Sequence, residues 1–439
     1  MTNPARARTL PAGASLPALA LLVLAGLGLG APAIAQESLA SPLPGPLTDP
    51  ALWPVPLPLL MQGLLVMGLL AGLTLFQSGL VRPGASGAQA IKGICGSALA
   101  VLAFFFIGSN VLMVGVNGGF HGTFAFFPLP VEGATPDAMA EWFLRAPFAA
   151  LPVLIVAGAL AERLRLWPFM IFAVVLAAVL GPIAGSWSWG GGWLDRLGFV
   201  DIGGATVLHS AAGWAALVGA VLLGARKGKF TSNGAIHALP TNSLALATFG
   251  TFAGWIGWFG LTGGAVLLAV PEAGPAILVP TYVNTLLAGA AGLAVALIVS
   301  LIVGRNGVMA RGLQGALAGL VSISAAPHLP MPLVALAIGA IGGLLVVIAV
   351  PLIERLRIDD ATGAISVHLI CGLWATLVVS VIDPTVPLTT QALGAAAVGG
   401  AMVLASFVVW LAIKLTLGLR IAFEDESGAQ EHRDLGLDV

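Results

Sequence analysis

The sequence is poor in charge. Only 8% of its 439 residues are charged, and the formal net charge is −1 at pH 7, whereas a soluble domain is usually about one-quarter charged. So few charges cannot form a patch for nucleic acid, and we expect no nucleic-acid function. With 58% hydrophobic residues and a mean hydropathy of +1.02, the composition indicates a protein whose main solvent is a lipid bilayer.

Cysteine and spaced metal ligands are scarce as well. The two cysteines, Cys95 and Cys371, both lie inside apolar runs, which excludes a disulfide framework and a zinc cluster. The sequence has no metal-spaced His/Glu motif and no nucleophile elbow. We therefore expect no metal, no cofactor and no enzymatic activity.

The N-terminus has the pattern of a secretory signal. Two arginines precede an apolar stretch at about 14–30, and a small-x-small cleavage site ends at Ala35. We predict a signal peptide over 1–35 and an exported arm over 36–54. An uncleaved first helix is the alternative.

Long apolar stretches fill the rest of the chain. Eleven of them are long enough to cross about 30 Å of hydrocarbon. We therefore predict an all-α integral membrane protein, with a membrane domain over 55–420 and a tail over 421–439. The stretches lie near 55–81, 88–116, 138–162, 167–186, 201–225, 238–268, 279–303, 309–326, 331–351, 362–382 and 392–418.

Lysine and arginine concentrate in alternate gaps between these stretches and in the tail. Because cytoplasmic loops are rich in Lys and Arg, we predict an exported N-terminus, a cytoplasmic tail and a bacterial-type inner (cell) membrane. Apart from two arginines in the signal peptide, only Arg145 and Arg196 fall on the other side. The residues on the cytoplasmic side are Arg82, Lys92, Arg163, Arg165, Arg226, Lys227, Lys229, Arg305, Arg311, Arg355, Arg357, Lys414, Arg420 and Arg433.

The fifth and tenth stretches share a spacing. Asp201 precedes His209 by eight positions, and Asp360 precedes His368 by eight positions. Helix five runs inward and helix ten runs outward, while eight residues rise roughly 12 Å. Both imidazoles should therefore lie near the middle of the bilayer, approached from opposite sides.

This echo predicts an inverted 5+5 repeat. An odd number of helices per half makes the two halves antiparallel, so we place the halves at about 55–225 and 238–383, with one further helix at 392–418. Secondary transporters bind their substrates near the midplane, between such repeats. The pattern therefore indicates transport of a small solute.

Eight short motifs follow one another along the mature chain. They are Phe76 to Arg82, Gly158 to Arg163, Trp189 to Gly192, Asp201 to His209, Gly257 to Gly260, Asn284 with Thr285, Asp359 with Asp360, and Val367 with His368. In this order they resemble the ammonium transporter family (Amt/Mep/Rh). The retained Trp189 makes the chain more similar to the Amt branch than to Rhesus proteins.

The resemblance implies a homotrimer with one pore per subunit, selective for ammonium and methylammonium, and a tail available to a P-II nitrogen-regulatory protein. It implies that His209 and His368 line the pore and relay a proton. Trp189, Phe148 and Asp201 would recruit the substrate at the outer face, and Phe148 would also be the outer gate.

Elementary chemistry is consistent with these roles. Burial disfavours the charged imidazolium, so one neutral ring can donate a hydrogen bond to the other while a proton hops along the pair. Ammonium would then lose its proton at the entrance, and ammonia would pass an apolar constriction. Asp201 would also cap its helix, and we expect Asp360 to be a cap or a structural charge.

The sequence departs from the family pattern at several positions. Leu261 stands at the inner gate, where a phenylalanine is usual, and Ala265 stands where a hydroxyl helps to bind ammonium. Gly363 replaces an acidic residue before the second histidine. Ala265 forfeits one hydrogen bond to the cation, for which water or Thr262 would have to substitute.

These departures leave two alternatives to a transporter open. One is an ammonium sensor or receptor with little flux, motivated by Leu261, Ala265 and the altered tail. The other is a Rhesus-like neutral gas channel, which would give flux without saturation or charge movement.

Overall fold

The computed structural model describes residues 56–127, 135–304, 307–421 and 426. The predicted signal peptide and exported arm lie outside these residues, as does nearly all of the predicted tail. Within the described ranges the chain is helical, and β-structure is limited to two isolated bridges, Leu164 with Arg420 and Phe230 with Ile236.

Eleven apolar helices build the described part of the protein. Ten are long and apolar enough to cross a membrane, and the eighth is shorter. The predicted all-α membrane fold is thus confirmed. In chain order the helices are α1 Pro56–Leu80, α2 Pro83–Met113, α3 Pro136–Ala159, α4 Leu166–Ser186, α5 Ala205–Leu223, α6 Leu244–Ala269, α7 Leu278–Ile302, α8 Val308–Ile323, α9 Pro332–Arg355, α10 Ile365–Ile382 and α11 Leu388–Thr416.

The short helix α8 is enclosed by protein. It has 16 residues, which rise about 24 Å, less than the hydrocarbon thickness. Every residue of α8 from Gly312 onward is buried. Irregular backbone at membrane depth is tolerated where protein covers it, so α8 can end early without exposing backbone groups to lipid.

Helices α1 and α6, the first helices of the two predicted halves, pack through glycines. A Cβ atom added to Gly72 would lie 2.2 Å from the backbone nitrogen of Gly254, and one added to Gly250 would lie 2.2 Å from that of Phe76. Side chains other than hydrogen would therefore force the two helices apart. Membrane helices commonly approach one another through small residues.

Helices α5 and α10 begin in the same unusual way. Each opens with one π-helical segment, Ala205–Ser210 and Ile365–Ile370, a feature common at functional sites. The glycine three residues after each aspartate has a positive φ, +78° at Gly204 and +81° at Gly363. Gly363, which departs from the family pattern in sequence, therefore repeats the backbone geometry of Gly204.

Charged side chains meet at one end of the bundle, which we call the ion-pair end. Arg226 donates to both carboxylate oxygens of Asp359, at 2.8 and 2.9 Å, and is also paired with Glu162. Glu162 is paired with Arg82, and Arg163 donates to the backbone oxygen of Asp359 at 2.6 Å. Basic residues from separate predicted cytoplasmic loops therefore lie on the same side of the protein.

Candidate functional site

Two histidines meet inside the protein. The Nδ1 atoms of His209 on α5 and His368 on α10 are 3.1 Å apart, and both side chains are buried. Because both atoms of the contact are ring nitrogens, one ring must donate and the other must accept. The neutral pair can therefore exist in two arrangements, in each of which the donor ring carries its proton on Nδ1 and the acceptor ring carries its proton on Nε2.

The matching carboxylates both cap these helices. One oxygen of Asp201 accepts from the backbone N–H groups of Thr206 and Val207, at 2.8 and 2.9 Å. One oxygen of Asp360 accepts from the backbone N–H and the hydroxyl of Ser366. Each carboxylate thus fixes the first turn of the helix that carries one of the two histidines, and the cap expected for Asp360 is present.

A cavity of about 340 Å³ lies at the opposite end of the bundle from the ion pairs. Two of its lining residues, Phe148 on α3 and Trp189 after α4, have ring centroids 6.1 Å apart at an interplanar angle of 51°. We call it the aromatic cavity. It is lined by Arg145, Phe148, Ser188, Trp189, Asp195, Phe199, Val200, Asp201, Ile202, Ala265, Leu268, Ala269 and Val270.

The structure brings Trp189, Phe148 and Asp201 together in the wall of this cavity. The indole N–H of Trp189 donates to the backbone oxygen of Asp201 at 2.7 Å. This hydrogen bond fixes the orientation of the ring. The second carboxylate oxygen of Asp201 is buried and has no hydrogen-bond partner among the described residues. One carboxylate oxygen of Asp201 therefore caps the helix, and the other is an acceptor that the described residues leave unused.

The departures from the family pattern fall in different places. Ala265 lines the aromatic cavity, whereas Leu261, one turn earlier on α6, is fully buried and is not among its lining residues. The hydroxyl of Thr262 donates to the backbone oxygen of Trp258 and contacts the hydroxyl of Thr285. Thr262 thus faces α7 and does not replace the missing hydroxyl in the cavity wall.

Comparison with known proteins agrees with this arrangement. A family model described as Ammonium Transporter Family matches residues 57–435. The chain belongs to the ammonium transporter family. It is 34% identical over 334 residues to the ammonium transporter Amt2 of Archaeoglobus fulgidus, which covers 73% of this chain and 70% of that one.

A second relative and a solved structure are similar to the chain over most of its length. The ammonium transporter Amt1 of Haloferax mediterranei is 32% identical over 411 residues, covering 87% of this chain and 78% of that one. The solved structure named Sensor Amt Protein is 29% identical, covers 86% of this chain and 96% of that chain, and superposes with a TM-score of 0.81. This ammonium transporter family member is therefore a multi-pass membrane protein with the fold of its family.

Trp258 is a part of the site that sequence reasoning did not single out. Its ring is fully buried and stacks on His209, with centroids 5.1 Å apart and an interplanar angle of 11°. Its indole N–H donates to the hydroxyl of Ser324 at 3.0 Å, which fixes the ring. The motif Gly257 to Gly260 contains this residue, but the spacing of the motif alone does not indicate that Trp258 contacts His209.

Arg145 and Asp195 were also not predicted as site residues, yet both line the aromatic cavity. The sequence marks Arg145 only as one of two basic residues on the predicted outer side. It forms an ion pair of 2.6 Å with Glu141, one turn earlier on α3. The described part of the chain contains no group of three or more His, Cys, Asp or Glu side chains that could hold a metal ion.

Proposed function

We propose that this ammonium transporter family member recruits NH4+ at its outer face, removes a proton, and passes NH3 through an apolar pore lined by His209 and His368. The proton travels separately, along the histidine pair. The observation that carries this proposal is the 3.1 Å contact between the two Nδ1 atoms in the protein interior.

The aromatic cavity is the recruitment site in this proposal. The Trp189 ring offers a π face to a cation that has shed part of its water, and Asp201 supplies negative charge beside it. Phe148, which contacts Trp189, closes the path from the cavity toward the histidines as the outer gate. With Leu261 in place of a second ring, the inner gate is narrowed by an aliphatic side chain only.

Orientation follows from the charges. The ion-pair end gathers basic side chains from several loops, and such loops are cytoplasmic in most membrane proteins. The aromatic cavity therefore opens to the outside of a bacterial-type inner membrane. The family resemblance adds a homotrimer with one pore in each subunit.

The experiment that tests the function is an ammonium concentration jump on purified protein in liposomes adsorbed to a solid-supported membrane. Saturable current supports charge-coupled transport. Vesicle alkalinisation without current would identify a neutral gas channel instead. Ammonium binding with neither signal would identify a sensor, a reading favoured by the likeness to Sensor Amt Protein and by Ala265.

A P-II nitrogen-regulatory protein is the proposed cytoplasmic partner, through the tail at 421–439. Most of this segment lies outside the described residues, so the proposal rests on the sequence resemblance. A pull-down with and without residues 421–439 tests it. Loss of P-II binding on truncation is expected, and unchanged binding would refute the role of the tail.

A further inference from the structure

A positive side chain lies in the wall of the aromatic cavity. Arg145 precedes Phe148 by three positions on α3, so the two side chains share one face of the helix. Arg145 lines both the aromatic cavity and a smaller apolar cavity of about 30 Å³, which also contacts Phe148 and Trp189. A cation bound between Phe148 and Trp189 therefore shares its cavity wall with Arg145.

A guanidinium at this place opposes recruitment of a cation. Like charges within about 10 Å in a partly buried site repel strongly enough to change affinity by about three- to tenfold, even after screening by salt. Arginine remains protonated at every physiological pH, so the protein cannot remove this charge by titration. A neighbouring anion is the remaining way to offset it.

Asp195 and Asp201 also line the cavity, and Glu141 is the anion paired directly with the guanidinium. Its carboxylate lies 2.6 Å from the guanidinium of Arg145, with side-chain exposures of 42% and 18% respectively. A partly exposed pair four positions apart on a helix contributes little to folding stability. The pair is consequently free to serve the electrostatics of the cavity rather than the fold.

We propose that the Glu141–Arg145 pair sets the affinity of the recruitment site for ammonium. Arg145 lowers the affinity, and Glu141 restores part of it by neutralising the guanidinium. Both are positioning residues, since neither has to touch the substrate. This inference rests on the proposed function, and it adds an affinity-determining pair to the cavity formed by Trp189, Phe148 and Asp201.

Ala265 and Arg145 change the recruitment site in the same direction. Ala265 removes a hydroxyl from the cavity wall, and Arg145 adds a positive charge to it. Both features weaken recruitment, so the cavity of this chain is built for a higher ammonium concentration than one with a hydroxyl and no arginine.

The test is the ammonium dependence of the current in proteoliposomes made with Glu141→Gln, Arg145→Gln and the double variant. We expect Glu141→Gln to raise the half-saturating ammonium concentration about three- to tenfold, with the maximal current per protein unchanged. Arg145→Gln should lower it. In the Arg145→Gln background, Glu141→Gln should have no more than a small further effect, because Glu141 acts through Arg145.

Two controls separate this role from a structural one. Arg145→Lys keeps the charge and should keep the half-saturating concentration of the unmodified protein. Asp137→Asn removes an exposed negative charge from the first turn of the same helix, outside the cavity wall, and should change little. Additive effects, shifts of both single variants in one direction, or no shift at all in a protein that still carries saturable current would overturn the inference. If the unmodified protein gave no saturable current, that result would instead refute the proposed function.

Discussion

Arg226 holds Asp359 with three hydrogen bonds. Its backbone N–H and its Nε both donate to one carboxylate oxygen at 2.8 Å, and its Nη2 donates to the other at 2.9 Å. This contact joins the loop after α5 to the loop before α10, so it ties together the two predicted halves of the repeat. The contact thus links the end of one histidine-bearing helix to the start of the other.

Removing the charge of Asp359 should destabilise the protein. Asp359→Asn leaves Arg163 buried without its carboxylate and Arg226 with Glu162 as its remaining one, and breaking a buried pair from one side costs up to about 3–5 kcal/mol. We expect a lower melting temperature in detergent. Asp383→Asn, which changes a partly exposed aspartate in the loop before α11, is the matched control and should have the melting temperature of the unmodified protein.

The effect of Asp359→Asn should not vary between about pH 5 and pH 8. Burial alone would raise the pKa of Asp359, but Arg226 and Arg163 hold it well below its usual range. Stabilisation by a carboxylate with a lowered pKa is complete above its unfolded pKa of about 3.9, and is lost only as the pH falls toward the native pKa. A melting difference that shrank from pH 8 to pH 5 would contradict this account.

Much of the fold was predictable because membrane helices leave a strong signal. The apolar stretches predicted all eleven helices, and the matched spacing of Asp201 to His209 and Asp360 to His368 predicted that the histidines share a depth. Hydropathy did not predict that protein rather than lipid covers α8. Leu317 and Val321 are equally apolar whether they face lipid or protein. Whether lipid or protein surrounds a helix depends on which other helices pack against it.

The polar contacts were less predictable, since they join positions distant in sequence. The basic loop residues were visible, but nothing local indicates that Arg226 selects Asp359, 133 positions away. Likewise Arg145 appeared only as an outer-side charge, because its place in the cavity depends on how α3 packs against the loop that carries Trp189.

Trp189→Leu should weaken recruitment. The substitution removes the aromatic face that a partly dehydrated cation would contact, worth about 1–2 kcal/mol, so we expect the half-saturating ammonium concentration to rise about tenfold. Trp193→Leu is the control, because Trp193 lies in the same loop but is not among the residues lining the aromatic cavity. Equal effects of the two variants would indicate a general disturbance of the loop.

Ala265→Ser should strengthen recruitment. A hydroxyl in the wall of the aromatic cavity offers the cation a hydrogen bond worth about 1.5–3 kcal/mol, which corresponds to roughly ten- to a hundredfold in affinity. The measurement is the half-saturating concentration for ammonium current. Ala269→Ser places a hydroxyl one turn further along α6 in the same wall and should have a smaller effect; an equal gain from both would argue against a specific position.

Leu261→Phe should destabilise the protein rather than simply supply a second gate ring. Leu261 is fully buried, and adding volume to a packed interior costs about 1–3 kcal/mol. We expect a lower melting temperature with the fold retained. Leu261→Met conserves volume and is the control. A Phe variant as stable as the unmodified protein would mean that space for the ring already exists beside α6.

The measurement that tests the central claim most directly is the current after an ammonium jump, comparing the unmodified protein with His209→Ala/His368→Ala. His328→Ala, a half-buried histidine outside α5 and α10, is the control. The account predicts that the unmodified protein and the control give a saturable current. The double variant should either give no current or give one with altered selectivity among cations. A double variant with the current and ammonium selectivity of the unmodified protein would contradict a proton relay through the histidine pair.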